Sequence, residues 1–324
     1  MEYRRLGGSG TRVSEIALGN WITHGGQIGD DAAKRCVEAA LDAGINFFDT
    51  ADIYERGKAE TVIGNCLKGI ERSSYVLATK LFWPMSDDPN DGGLSRKHIM
   101  ASIDKSLRRL QTDYVDLYQA HRFDDRVPLE ETMRAFDDVV RRGKALHIGV
   151  SEWTEDQIAD ALRIADEMGF DRIVTNQPQY SMLWRVPEVE VMPLCRDEGI
   201  GQIVWSALAM GVLTGKYKPG EKPARDTRAG SGGAIEDDYL SDRTLTAVQN
   251  LRPIADELGL TMATLAIAWV LHNDNVSSAI IGATRPEQVE ENVEASGVKL
   301  DDDHMKRIDE FLDGVITDDP SLIG

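Results

Sequence analysis

Four residues of this chain could share one piece of chemistry: Asp49, Tyr54, Lys80 and His121, each just past a short apolar run. INFFDTADIY sets Asp49 and Tyr54 after one run, YVLATK sets Lys80 after the next, and YVDLYQAH sets His121 after the one that follows. An acid, a phenol, an amine and an imidazole at the C-terminal ends of successive strands is the layout of a barrel active site. A parallel barrel exposes those strand ends together on one face.

Taken singly, three of the four have ordinary explanations. Asp49 before Thr50 could form a turn, Tyr54 could pack, and His121 could be a satisfied core histidine. Lys80 is harder to dismiss, because it ends an apolar strand and lysine avoids burial. It needs a partner, and Asp49 one strand over is the natural one. A phenol has an ordinary pKa of about 10 and is a poor acid at neutral pH. A neighbouring ammonium favours the phenolate and lowers that value. A unit charge at about 4 Å and an effective dielectric of about 20 contributes roughly 4 kcal/mol as an upper bound. Asp49 would keep Lys80 charged and in place, and His121 could donate to the same substrate oxygen. The set suits protonation of a carbonyl oxygen. None of the four can supply a hydride, so a reduced cofactor is required.

The elements that would position these residues repeat about every 25–30 residues, as strand and helix alternate in a barrel. Eight short strands read as EIALG, INFFD, SYVLAT, YVDLYQ, ALHIGV, RIVTN, GQIVW and SSAIIG. They are nearly continuous apolar runs, as strands buried on both faces should be. Amphipathic helical segments lie between them. DDAAKRCVEAALDAG has acids at its start and Gly44 at its end, Ser95 is a candidate N-cap, Pro128 and Gly143 bracket a helix, and Thr154 heads a near capping box. The pattern predicts an α/β fold, a (β/α)8 TIM barrel over residues 1–324 as one domain. EYRRLG and TRVSEIALG form a preceding hairpin. The alternative, a doubly wound open sheet, would place a Gly-rich phosphate loop after its first strand, and GNWITHGG lacks that spacing. Two long loops break the rhythm, FWPMSDDPNDGG after the third strand and the segment from SALAMG to IEDD after the seventh. Both belong to the strand-end face, where long loops are commonly lids.

Composition narrows the partners. The 324 residues are 42% hydrophobic and 28% charged, with a net charge of −19. That field disfavours nucleic acid and anionic membrane surfaces, and any anionic cofactor would need a local basic patch. The three cysteines, Cys36, Cys66 and Cys195, lie far apart in no metal-binding spacing, as in a reducing compartment. MEYRRLGGSG has no signal-peptide core. The longest apolar stretches fall short of the about 20 residues a membrane span needs. The expectation is a cytoplasmic protein with no metal and no membrane insertion, and a homo-oligomer is compatible with it.

The motifs GINFFDTADIY, GLSRKHI, YVDLYQAHR, PLEETMRA, GVSEW, GKY, LAIAWVL and GATRPEQVEEN are numerous and collinear. In them the chain resembles the aldo-keto reductase superfamily, and within it the branch of the potassium-channel β subunits and their bacterial relatives. The likeness runs from Tyr3 to Leu312. It implies a barrel with a hairpin closing its bottom, NADPH lying extended across the strand-end face, and reduction of aldehydes or ketones. Tyr54 would be the proton donor, Lys80 would lower its pKa, Asp49 would hold Lys80, and His121 would orient the carbonyl. Ser151 and Gln177 would meet the carboxamide and Trp205 would stack on the nicotinamide, with Gly19 and Trp21 nearby. Ser206, Leu208, Met210, Gly211 and Lys216 would line the pyrophosphate path, and Arg228 would lie near the adenosine end. Gly282, Thr284, Gln288, Glu291 and Asn292 would form the adenosine pocket, with Arg285 toward the 2′-phosphate. Trp21, Phe82, Trp83, Tyr180, Met182 and Trp184 would wall a pocket for a small carbonyl substrate. The channel β subunits commonly carry Asn where this chain has His121, so the full tetrad points to an ordinary reductase. A regulatory subunit docking on a membrane protein, or polyol oxidation, are the alternatives. One departure is Glu152, where the superfamily usually has Asn.

Overall fold

The structure is a computed structural model that describes residues 1–21, 26–225, 227–233 and 235–323. Ile22 to Gly25, Asp226, Ala234 and Gly324 lie outside the described residues. A two-stranded antiparallel hairpin, β1 (Tyr3–Arg5) and β2 (Arg12–Ser14), precedes the barrel. The barrel strands are β3 (Ile16–Gly19), β4 (Phe47–Asp49), β5 (Val76–Leu81), β6 (Val115–Ala120), β7 (Ala145–Val150), β8 (Ile173–Asn176), β9 (Gly201–Val204) and β10 (Val276–Gly282). They pair in parallel in sequence order, and β10 returns to β3 to close the ring. The eight expected strands are these eight.

Helices α1 (Asp30–Asp42), α2 (Lys58–Leu67), α3 (Arg96–Leu110), α4 (Leu129–Arg141), α5 (Glu155–Met168) and α6 (Val191–Asp197) follow the first six barrel strands. After β9 come α7 (Asp242–Gln249), α8 (Arg252–Leu258) and α9 (Met262–His272), then α10 (Pro286–Val293) and α11 (Asp302–Leu312) after β10. The caps are where the residue types put them. Ser95 accepts from the His98 N–H, and Thr154 and Gln157 close a reciprocal capping box.

Strand parity decides what reaches the site. Leu6, Val13, Ala17, Phe47, Val76, Ala78, Leu117 and Ile203 form a small core inside the barrel. Their strand neighbours Ile16, Leu18, Phe48, Leu77 and Val204 belong to the larger core beneath the helices. Side chains alternate with a period of two. Asp49 therefore stands one step above Phe47, Lys80 one above Ala78, and Gln119 and His121 one and two steps above Leu117. The apolar floor and the polar site are successive layers of one interior.

The hairpin seals the other end. Gly8 N–H donates to the Gly199 carbonyl at 2.6 Å, and the Arg4 guanidinium bonds the carbonyls of Leu271 and Val276 and the Glu15 carboxylate. Gly7 has φ +56, and a Cβ there would sit 2.2 Å from the Val174 carbonyl oxygen. Only glycine lets the hairpin approach so closely.

A second buried feature supports the loop that carries Tyr54. Asp52 N–H donates to the Lys80 carbonyl at 3.1 Å. Beneath it, Glu60 of α2 accepts from Thr79 at 2.6 Å and from Arg109 of α3 at 2.6 Å. Asp52 is buried beside this pair, and burial, with the Glu60 charge, pushes its carboxyl up to about 8. Arg109 only partly offsets this, since it is committed to Glu60.

Two outcomes follow from these contacts. Gly7→Ala should cost about 2–4 kcal/mol, the scale of an overpacked and strained backbone site, read as a lower denaturant midpoint with an unchanged slope. A folded pKa above the unfolded value means that the native state holds the Asp52 proton where the unfolded state has lost it. Stability from this group is therefore present at low pH and is lost as pH rises toward about 8. Asp52→Asn should raise the melting temperature relative to the parent most at pH 8.5, by less at pH 5, and least below about pH 4, where both states hold the proton. A pH-independent difference would contradict this reading.

Candidate active site

The four residues named first converge above the barrel floor. Lys80 is fully buried, and its ammonium has three donors. They go to Asp49 Oδ2 at 2.5 Å, the Thr50 carbonyl at 2.8 Å and the Tyr54 hydroxyl at 3.3 Å. Asp49 in turn accepts on Oδ1 from Gln177 at 3.0 Å and from Gln119 at 3.4 Å. Tyr54 sits on a short turn after β4, followed by Glu55 and Arg56 in left-handed backbone at φ 46 and 53. The His121 ring meets Tyr54 edge-on, with centroids 5.6 Å apart. Trp83 closes on His121 at 4.6 Å and carries Phe82 beside it.

The electrostatics sort the roles each group can play. Burial opposes charge on Lys80, but Asp49 and Tyr54 outweigh it and its pKa lies above the ordinary lysine value. Burial pushes the Tyr54 phenol up. Lys80 pulls it down, as expected of an ammonium, yet burial is the larger effect and, with the Asp49 charge, leaves the net displacement upward. The lowering by Lys80 is present but burial outweighs it, and the phenol keeps its proton. Burial, reinforced by Lys80 and Arg122, holds His121 well below the ordinary imidazole range. The site therefore combines a protonated phenol, a neutral imidazole and a fixed ammonium. It can deliver one proton to an oxygen and then stabilise the phenolate left behind.

The residues expected to hold a nucleotide cofactor line the same face. Ser151 donates to the Gln177 backbone carbonyl at 2.8 Å, and the Gln177 amide nitrogen is on Asp49, which leaves its amide oxygen to receive a carboxamide N–H. Trp205 and Trp21 meet edge-on at 6.2 Å, and Trp21 lies 6.5 Å from Tyr54. Past β9 the backbone is left-handed at Ser206, Ala209, Met210 and Gly211, with Leu208 between them. The Ser206 hydroxyl is buried and finds no partner. A Cβ on Gly211 would fall 2.9 Å from the Lys216 ammonium, so this cation lies against the turn. An orphaned hydroxyl, a tight turn and an adjacent ammonium fit an anionic pyrophosphate. The same loop brings the Arg228 guanidinium to 5.3 Å from the Trp21 ring, across the mouth of the barrel. Gly19 and Gly282 face each other at the ends of β3 and β10. Thr284 donates twice to Gln288, Asn292 is buried in α10, the Glu291 carbonyl accepts from Thr264, and Arg285 stands exposed at the start of α10, 3.9 Å from Glu287.

Not every expected pocket residue comes here. Tyr180 donates to Glu188 at 2.5 Å and stacks against Trp269 of α9 at 5.3 Å. Met182 is fully buried in the core beneath the helices. These two side chains are spent on packing. Trp184 is half-buried, its backbone paired to Thr317 of the C-terminal segment. Of the expected substrate wall, Trp21, Phe82 and Trp83 are the residues the structure brings to the tetrad.

One site residue escaped the sequence reading, and another was noted there without a role. Gln119 is legible in retrospect, two positions before His121 on the same strand face. Glu152 is buried, and its Oε1 receives the Gln179 N–H at 2.6 Å and the Trp205 indole N–H at 2.7 Å. Its departure from the usual Asn was the available signal.

Comparison with known proteins agrees with this geometry. The family model described as "Aldo/keto reductase family" matches residues 15–313. Two plant proteins named as probable voltage-gated potassium channel subunit beta, from Arabidopsis thaliana and Oryza sativa subsp. japonica, are each 45% identical to this chain over 303 residues, covering 92% of both partners. A protein of Schizosaccharomyces pombe named as a putative voltage-gated potassium channel subunit beta is 42% identical over 319 residues, 96% of this chain and 93% of its own. With the family match over most of its length, a closed parallel barrel and the tetrad at its strand ends, the chain belongs to the aldo/keto reductase family of carbonyl oxidoreductases.

Proposed function

We propose that the protein reduces aldehydes or ketones to alcohols with NADPH, Tyr54 giving the proton. The observation that carries this reading is the Lys80 ammonium saturated between Asp49 and Tyr54, with a neutral His121 edge-on to the phenol. A reduced nicotinamide, when bound, supplies the hydride to the carbonyl carbon. The Tyr54 hydroxyl gives its proton to the carbonyl oxygen as that bond becomes single. Lys80 interacts more strongly with the phenolate so formed than with the neutral phenol, so its effect is largest where the barrier lies. His121 donates a hydrogen bond to the same oxygen and sets the carbonyl's orientation. The phenolate regains its proton from solvent.

NADPH is favoured over a neutral ligand by the basic side chains that the acidic chain concentrates here, Lys216, Arg228 and Arg285. Trp21, Phe82 and Trp83 give the substrate an apolar, aromatic wall, suited to small or aromatic aldehydes and to dicarbonyls such as methylglyoxal. A second reading has support in the relatives named as channel β subunits. In it the barrel binds NADPH and acts as a regulatory subunit of a membrane protein. The retained His121 and the complete tetrad favour catalysis.

NADPH consumption by the purified protein, measured against aldehydes, dicarbonyls and sugars, separates the two. Tyr54→Phe should cut turnover by about 10²-fold or more, the scale of losing a general acid, while NADPH affinity stays nearly unchanged. Unimpaired turnover in this variant would remove Tyr54 from its role. Tight NADPH binding with negligible turnover on every substrate would favour the regulatory reading. Arg285→Ala should weaken NADPH more than NADH, and equal weakening of both would remove Arg285 from the 2′-phosphate.

A further inference from the structure

We propose that Glu152 is a positioning and specificity-determining residue whose carboxylate pins the Trp205 indole and whose charge makes the nicotinamide site favour the oxidised, cationic ring over the reduced, neutral one. The proposal rests on the nicotinamide reading of this site given above.

The geometry begins with the backbone. Glu152 follows Ser151 past the end of β7 and has φ 57, a left-handed conformation rare for a residue with a side chain. That strain aims the carboxylate inward, where it is buried. One oxygen, Oε1, then collects two donors, the Gln179 backbone N–H at 2.6 Å and the Trp205 indole N–H at 2.7 Å. Gln179 and Trp205 are also bridged in parallel, and Trp205 N–H donates to the Pro178 carbonyl at 3.1 Å. A single carboxylate therefore ties together the segments that follow β7, β8 and β9. The indole N–H bond fixes the rotation of the ring and hence the face that it offers to a stacked partner.

An amide at this position could accept the same two bonds. What the carboxylate adds is charge. Two N–H donors on one oxygen favour the ionised form. Arg122, from the segment after β6, adds an attractive cation. Burial works against them and raises this carboxyl's pKa above its ordinary value. With this carboxyl ionised, the site places an anion beside Trp205 and so distinguishes two rings of nearly equal shape. The oxidised nicotinamide carries a positive charge and the reduced one does not. The same charge lowers the cost of hydride departure, because positive charge grows on the ring as the two electrons leave with the hydrogen.

Calorimetric titration of the purified full-length protein with NADP⁺ and with NADPH tests the charge. Glu152→Gln keeps an acceptor oxygen and removes the charge. It should raise the ratio of the NADP⁺ to the NADPH dissociation constant about tenfold, the scale of a unit charge acting over several ångströms at intermediate dielectric. An unchanged ratio overturns the charge assignment. Thermal unfolding of the nucleotide-free protein tests the pin. Glu152→Ala should lower the melting midpoint, Glu152→Gln should largely restore it, and the loss from Glu152→Ala should shrink by about half in a Trp205→Phe background, since the two groups are coupled. Equal losses in both backgrounds overturn the pin and reduce Glu152 to a brace for Gln179. A parent protein that binds neither nucleotide overturns the nicotinamide reading and the charge assignment with it, and the melting cycle still decides the pin.

Discussion

The buried ammonium of Lys80 is the constraint to which the rest of the site answers. A dehydrated charge is costly unless it is paired and its donors are all used. Lys80 meets both conditions, with Asp49, the Thr50 carbonyl and the Tyr54 hydroxyl taking its three hydrogens. Asp49 is itself fixed by Gln177 and Gln119, from the ends of two further strands. The network therefore draws on β4, β5, β6 and the segment after β8, and the barrel has to close for it to exist. A buried ion pair is weak evidence for stability, because an apolar pair of similar volume often serves as well. Its presence at the strand ends is better explained by what it does to Tyr54.

That effect is not the simple one. Lys80 pulls the phenol's pKa down, but burial and the Asp49 charge win, and Tyr54 rests as a neutral donor. A proton donor has to carry its proton before the reaction. In the proposed reaction the ammonium's larger contribution would come when the proton leaves and an anion appears 3.3 Å away. His121 answers to the same field. Buried and beside a cation, it is held neutral, which suits the proposed donation of one N–H to a substrate oxygen without a competing charge.

Much of this was legible from residue order. Strands buried on both faces are written as apolar runs, and a two-residue period then dictates that Asp49, Lys80 and His121 rise above Phe47, Ala78 and Leu117 in one interior. The failures have physical reasons. QYSMLW reads equally well as pocket wall or as core, since aromatic and methionine side chains suit both. Only the contact of Tyr180 with Trp269 and the place of Met182 in the core beneath the helices assign them to packing. The bond from Trp205 to Glu152 spans 53 residues and joins two loops, and no local pattern encodes it. The direction of the Tyr54 displacement depends on how deeply the phenol is buried, which residue types do not state.

Backbone strain shows where the fold has been specialised. Among the described residues, non-glycine positions with positive φ are Glu55, Arg56, Gln111, Glu152, Ser206, Ala209 and Met210. Gln111 ends α3 as a left-handed cap, an ordinary use of this conformation. The other six lie in the loops that carry Tyr54, clamp Trp205 and shape the turn at Lys216. Each costs free energy and persists only where its surroundings over-determine it. The barrel supplies that surplus through its two cores and the hairpin sealed beneath them. The stable end of the molecule holds the strained end in one geometry, so the phenol, the indole and the ammonium stand in place before a substrate arrives. Pre-organisation of this kind is what electrostatic catalysis requires, and it follows from the division of labour between the two ends of the barrel.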